Sequence, residues 1–163
     1  LLSKGHTQIA GIFKSDDVQG PQRYHGMLTA LRDAEIPIRD EAVVWFGTRE
    51  RSALVGSVGQ GKMADFLGNR LEDSTAVVCY NDEIAYLVIR QLLAAGKRVP
   101  EDVAVVSFDN SFYSQIGPVP ITSLGHKASR TGKAAAAALL QMLSGSQPEE
   151  ERLEWELFVR ASG

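Results

Sequence analysis

Thr75-Ala76-Val77-Val78-Cys79-Tyr80 is a continuous, β-rich apolar run, and it passes without a break into Asn81-Asp82-Glu83-Ile84-Ala85. A strand that is apolar at every position, not at alternate ones, is buried on both faces, as the strands of a parallel sheet are. Asn81-Asp82 ahead of Glu83 is a helix start, and Ile84, Ala85, Val88, Ile89, Leu92 and Leu93 follow at helical spacing until Gly96 closes the segment. Val99-Pro100-Glu101-Asp102 then turns the chain into another strand, residues 103–108, which ends at Asp109-Asn110. Strand, helix, strand is the crossover that a parallel pair requires.

The same alternation extends upstream. Gln8-Ile9-Ala10-Gly11-Ile12-Phe13 has strand length, residues 14–20 form a polar loop, and Pro21 suits a first helical turn. Tyr24, Met27, Leu28 and Leu31 repeat at i, i+3, i+4 and i+7 before Ile36-Pro37 ends the pattern. A second strand over 42–46 leads into a less regular helical stretch with Leu54, Val55, Val58, Met63, Phe66 and Leu67. The order predicts an α/β fold, a parallel sheet with helices on both faces and a binding crevice at the carboxyl ends of the strands. Beyond it, Ile121-Thr122-Ser123-Leu124 reads as a short strand and 129–143 as an alanine-rich helix ending at Gly145. The run of five alanines at 134–138 suits a close approach to another backbone. The partly alternating tail 153–160 reads as a last strand on a sheet edge. Leu1-Leu2-Ser3-Lys4-Gly5 resembles the last turn of a helix, so the chain is expected to be a piece of a longer protein.

At 163 residues, 44% hydrophobic and 23% charged, the chain suffices for one globular domain, or for a compact domain plus an appendage. Its 17 basic and 20 acidic residues leave a net charge of -3, so no field spread over this segment draws it onto nucleic acid or an anionic membrane. No apolar run approaches the roughly 20 residues that span a bilayer. The single cysteine, Cys79, is set in an apolar strand and is expected to pack as a small hydrophobe in a reducing, cytoplasmic setting.

Catalytic signatures are weak. Gly56-Ser57-Val58-Gly59-Gln60-Gly61-Lys62-Met63 has phosphate-loop spacing, yet Met63 stands where a Mg²⁺-binding hydroxyl belongs and no strand leads directly into it. His6, His25 and His126 share no metal-ligand spacing, and no Gly-x-Ser-x-Gly elbow occurs. No cofactor, no metal and no enzymatic activity are expected. Polar residues instead follow three strands: Asp16, Asp17 and Gln19 after the first, Asn81 and Asp82 after the third, Asp109 and Asn110 after the fourth. Together with Arg23 on the first helix they offer donors and acceptors for a hydroxyl-rich ligand, with Phe46 or Trp45 as an apolar wall. A second reading stands beside it, in which Asn81 or Asp82 merely caps the helix that begins there.

Several motifs occur together and in order: Gly5-His6, Arg23-Tyr24-His25-Gly26-Met27, Tyr80-Asn81-Asp82-Glu83-Ile84-Ala85, Val99-Pro100-Glu101-Asp102-Val103 and Ser107-Phe108-Asp109-Asn110. The set resembles the effector-binding half of lac-repressor/galactose-repressor-type regulators, which share the periplasmic sugar-binding-protein fold. Ile12 to Gly20 and Cys79 to Glu83 look most like the arabinose-responsive repressors, which carry a gluconate-repressor-type DNA-binding domain. The resemblance implies a cytoplasmic transcription regulator that binds a sugar such as L-arabinose and meets operator DNA through a separate N-terminal domain. A transport-associated sugar-binding protein is the alternative.

Residue by residue, it implies that Arg23, Asn81 and Asp109 grip the sugar and that Phe46 stacks on it. Asp17 and Gln19 complete the site, and His126 stands where the family commonly has glutamine. It further implies that this chain is mainly the second of two lobes, the first lobe and the DNA-binding domain lying upstream. The helix within 129–145 is then a crossover that packs on the first lobe and, without it, is exposed, loosely attached or covered by another copy of the chain. Tyr86, Leu87, Arg90 and Leu93 are expected to form the surface of a homodimer.

Overall fold

A computed structural model of the chain describes residues 1–55, 61–71, 73–126, 128–148 and 152–163. Six strands form one sheet: β1 (Ile9–Lys14), β2 (Val43–Phe46), β3 (Ala76–Cys79), β4 (Ala104–Phe108), β5 (Thr122–Gly125) and β6 (Glu156–Phe158). Their spatial order is β2-β1-β3-β4-β5-β6, with β1 to β5 parallel and β6 antiparallel on the edge beside β5. The α/β class, the parallel sheet and the edge strand at the tail all follow the sequence reading.

The connection from β1 to β2 runs in one direction along the sheet and the later parallel connections run in the other. Right-handed crossovers therefore place the intervening helices on opposite faces. On one face, α1 (Gln19–Asp33) packs through Leu31 and Met27 against Ile9, Ala76 and Ala104. On the other lie α2 (Arg51–Val55), α3 (Gly61–Asp65) and α4 (Asp82–Ala94). The larger core sits there: Ile84, Val88, Ile89 and Leu92 of α4 cluster with Ile12, Val77, Cys79 and Val105, and with Phe46, Leu54, Met63 and Phe66. Cys79 is fully buried, and burial raises its thiol pKa far above the ordinary value, so it stays a protonated, inert core residue.

Coverage of the α1 face is incomplete. A hollow of about 740 Å³ remains beside α1, bordered by Leu1, Met27, Val78, Phe108, Leu124 and Trp155. The turn Leu2–Lys4 adjoins it, and Gly5 closes that turn at φ 89°, as its place in the sequence predicted.

Two elements depart from the sequence reading. The irregular stretch after β2 divides into α2, α3 and a wide helical turn, Phe66–Arg70. Residues 56–60 of the phosphate-loop-like run lie outside the described residues. A one-turn helix, α5 (Tyr113–Ile116), between β4 and β5 went unread because four residues show no period. The alanine-rich segment is helical, α6 (Ala128–Leu143), and Leu139, Leu140, Met142 and Leu143 on it are 56–75% exposed. Among the described residues, no helix is long and apolar enough to cross a membrane.

Candidate ligand-binding crevice

The loop after β1 meets the carboxyl ends of β3 and β4 at one crevice, where Asp17 bonds to Tyr80 and Arg23 bonds to both Tyr80 and Asp109. Asp17 ends that loop: its Oδ1 accepts from the Gly20 amide at 2.8 Å and so caps the start of α1. A Cβ at position 20 would stand 1.7 Å from the Lys14 carbonyl oxygen, so glycine lets the helix begin hard against the end of β1. The other carboxylate oxygen of Asp17 accepts from the Tyr80 hydroxyl at 2.5 Å and from Lys14 Nζ at 3.3 Å. Partial burial opposes the charge on Asp17, yet these donors hold its pKa below the usual carboxylate range. Burial and the hydrogen bond to Asp17 push Tyr80 up to about 12. Asp16 accepts from the Thr48 amide at 2.7 Å, which lowers its pKa and ties the loop to the residues after β2.

Arg23 rises from the first turns of α1 with its side chain only 9% exposed. Its Nη2 donates to Asp109 Oδ1 at 2.7 Å and to Gln19 Oε1 at 3.3 Å, and its Nη1 donates to the Tyr80 carbonyl. The guanidinium lies 4.9 Å from the Tyr80 ring centroid and 4.7 Å from that of Phe108. Held by acceptors and faced by two rings, it has little rotational freedom, and this favours directional hydrogen bonding.

Asp109 meets it from the end of β4. Asp109 and Asn110 take φ of 97° and 47°, a backbone region that costs a non-glycine residue about 1–3 kcal/mol, though Asp and Asn tolerate it better than most. The turn is braced by Asp109 N–H on the Leu124 carbonyl at 2.8 Å and by Asn110 N–H on Ser123 Oγ at 2.9 Å. A Cβ on Gly125 would come within 2.8 Å of Asn110 Cβ, so β5 can approach this closely only as glycine.

Asn81 accepts from the Ile84 amide at 3.1 Å and caps α4, so the capping reading of this residue is realised. It also borders a cavity of about 220 Å³ with Lys14, Tyr80, Arg51 and Glu83, the last two forming an ion pair. Asp82 does not face the crevice. It is fully buried, accepting from the Ser107 hydroxyl and, at 2.5 Å, from the Ser111 amide. His126 stacks on Trp155 at 4.0 Å between ring centroids and pairs its Nδ1 with the Glu154 carbonyl at 2.8 Å, so its contacts run to the tail.

Phe46 lies deeper than the sequence reading expected. At 2% exposed its ring packs largely into the core, edge-on to Tyr80 at 5.8 Å, and it forms part of the wall of the cavity of about 220 Å³ beside Asn81. Strand ends bury aromatics as readily as they display them, and only the packed structure separates the two. Tyr80, Phe108 and Arg160 were not singled out from the sequence. For Tyr80 the signal was its place at the carboxyl end of β3, directly before Asn81.

On the outer surface of α4, Tyr86 and Leu87 are half-buried while Arg90 and Leu93 are exposed. Tyr86 and Tyr113 of α5 stand 5.8 Å apart, beside exposed Phe112 and Ile116. These residues make the outer surface of α4 and α5 partly apolar.

A guanidinium, two carboxylates and two amides at the carboxyl ends of parallel strands define a small-molecule-binding α/β domain. Across known families, residues 1–163 match the periplasmic binding protein-like domain. The chain belongs to that family, in the form carried by lac-repressor/galactose-repressor-type regulators. It is 35% identical over 144 residues to the arabinose metabolism transcriptional repressor of Geobacillus stearothermophilus, a match covering 88% of this chain and 38% of that protein. It is 34% identical to the HTH-type transcriptional regulator CelR of Thermobifida fusca, over 100% of this chain and 47% of the relative. The solved CelR–cellobiose complex superposes with a TM-score of 0.81 at 32% identity, over 100% of this chain and 49% of the other. The chain thus spans about half, or less, of these relatives.

Proposed function

We propose that this chain is the effector-sensing part of a bacterial transcription regulator that binds a sugar, with L-arabinose the first candidate, and thereby controls an attached DNA-binding domain. The observation that carries the reading is the pairing of Arg23 with Asp109 across 86 residues of chain, with Gln19 on the same guanidinium, Asp17 on the Tyr80 hydroxyl, and Asn81 on a small cavity that Tyr80 also borders. Charged, partly desolvated hydrogen-bonding groups of both kinds are what a polyhydroxylated ring requires. His126 stands at the end of β5 as a further candidate contact. The cellobiose held by one relative supports a sugar, and the name of another supports arabinose. Operator DNA is met through another part of the protein, since this segment carries a net charge of -3. The patch on α4 pairs two copies of the regulator in the cytoplasm, and the exposed apolar residues of α6 are covered by a first lobe.

The test is isothermal titration of the full-length protein with L-arabinose, D-xylose, D-galactose, D-ribose and D-glucose. Saturable binding selective for L-arabinose is expected. Binding to another sugar of the panel overturns the choice of arabinose, and binding to none removes the case for arabinose and turns the search to purines, phosphosugars or other effectors.

A further inference from the structure

The Asp109–Asn110 turn has two braces from β5, and a third that comes from the far end of the chain. Arg160, two residues past β6, donates from Nη2 to Asn110 Oδ1 at 2.5 Å. It is itself anchored: Nη1 donates to the Ile121 carbonyl at 2.7 Å, and its backbone N–H donates to Thr122 Oγ1 at 2.9 Å. The segment behind it is fixed as well. Ser162, fully buried, takes the Thr122 amide on its hydroxyl at 2.9 Å, and its carbonyl accepts from the Val105 amide at 2.7 Å. A cation on a fixed support thus holds the side chain of one of two consecutive positive-φ residues, and the other carries the carboxylate that meets Arg23.

We infer that Arg160 is a positioning residue for the crevice: by holding Asn110 in the left-handed region it keeps Asp109 at the angle from which its carboxylate reaches Arg23 and ligand. Arg160 touches no ligand itself. The inference rests on the sugar-binding reading above and deepens it.

The design uses the fact that glycine adopts the backbone of Asn110 without help. If Arg160 acts through Asn110, its removal matters where residue 110 is asparagine and ceases to matter where residue 110 is glycine. In the full-length protein, Arg160→Met keeps the aliphatic stem and removes the donors. It should weaken L-arabinose binding about tenfold, on the scale of one lost charged hydrogen bond. Asn110→Ala, which loses the acceptor and disfavours positive φ, should weaken binding at least as much, and Asn110→Gly less. The double variant Asn110→Gly/Arg160→Met should bind within about twofold of Asn110→Gly alone.

The ¹H–¹⁵N resonance of the Asp109 amide is read in parallel without ligand. It should move in Arg160→Met and stay unmoved when Arg160→Met is added to Asn110→Gly. Equal losses in the two backgrounds, or an unchanged affinity and amide in Arg160→Met, would overturn the inference. Where the wild-type protein binds no sugar, the arabinose reading fails while the amide resonance alone still decides for or against Arg160.

Discussion

At the level of single residues, the crevice is a set of polar groups that satisfy one another before any ligand arrives. Arg23 is nearly buried and Asp109 is 41% exposed, so deleting Asp109 leaves the guanidinium poorly solvated without its partner, and deleting Arg23 takes the charged donor out of the crevice. Arg23→Ala and Asp109→Ala in the full-length protein should each cost about 1–3 kcal/mol of sugar binding, read by titration calorimetry. Unchanged affinity would remove the pair from the site. Tyr80 offers a reading that needs no ligand. Its hydroxyl donates to Asp17, and burial together with that bond pushes it up to about 12. A phenol whose folded-state pKa lies above its unfolded value contributes stability that is complete below about pH 10 and is lost as pH rises through about 12. Ultraviolet titration should therefore show a tyrosine ionising well above the ordinary range, and Tyr80→Phe should abolish that late step. Loss of a step in the ordinary tyrosine range instead would mean that the bond to Asp17 does not hold the proton.

At the level of elements, α4 shows how one short sequence does three jobs. Asn81 caps it, Asp82 and Glu83 place negative charge in its first turn where the helix dipole favours it, and Asp82 also reaches sideways to Ser107 and the Ser111 amide. The buried carboxylate thereby joins α4 to the end of β4 and to the loop that carries α5. Asp82→Ala should lower stability by about 2–3 kcal/mol by leaving those donors unpaired, seen as a lower urea midpoint with an unchanged slope. A shift below half a kcal/mol would show that water replaces the carboxylate.

The legibility of the chain follows the same line. β3 and α4 could be read because burial on both faces and a 3.6-residue period leave unambiguous patterns. α5 and the broken helices after β2 could not, being too short for any period. The polar residues at strand ends were legible as a group, but not their division of labour. Asn81 and Asp82 are adjacent and chemically alike, yet one borders the crevice and the other is buried behind it. Phe46 likewise reads as a ligand wall or as core until its burial is known.

At the level of the whole molecule, a ligand acts as a switch only if it binds two states of the protein unequally. The geometry suggests where the difference is felt. α4 begins at the crevice with Asn81 and carries Tyr86, Leu87, Arg90 and Leu93 along its outer surface. Its 13 residues make a rod about 20 Å long, so a shift at the capped end moves that outer surface with it. If that surface joins two copies, Leu93→Asp, a change at a position already 38% exposed, should weaken the full-length dimer by sedimentation without unfolding the chain. Linkage then fixes a second number. If saturating L-arabinose changes the dimer dissociation constant by the square of some factor, two equal sites on the dimer require dimerisation to change the arabinose affinity of each site by that factor. The monomeric variant should therefore bind sugar with an affinity displaced from wild type by that factor, in the direction sedimentation of the wild type already sets. A dimer indifferent to Leu93→Asp would move the interface off α4. A monomer whose sugar affinity departs from the linked value would mean that Leu93 acts on the crevice by some route other than association.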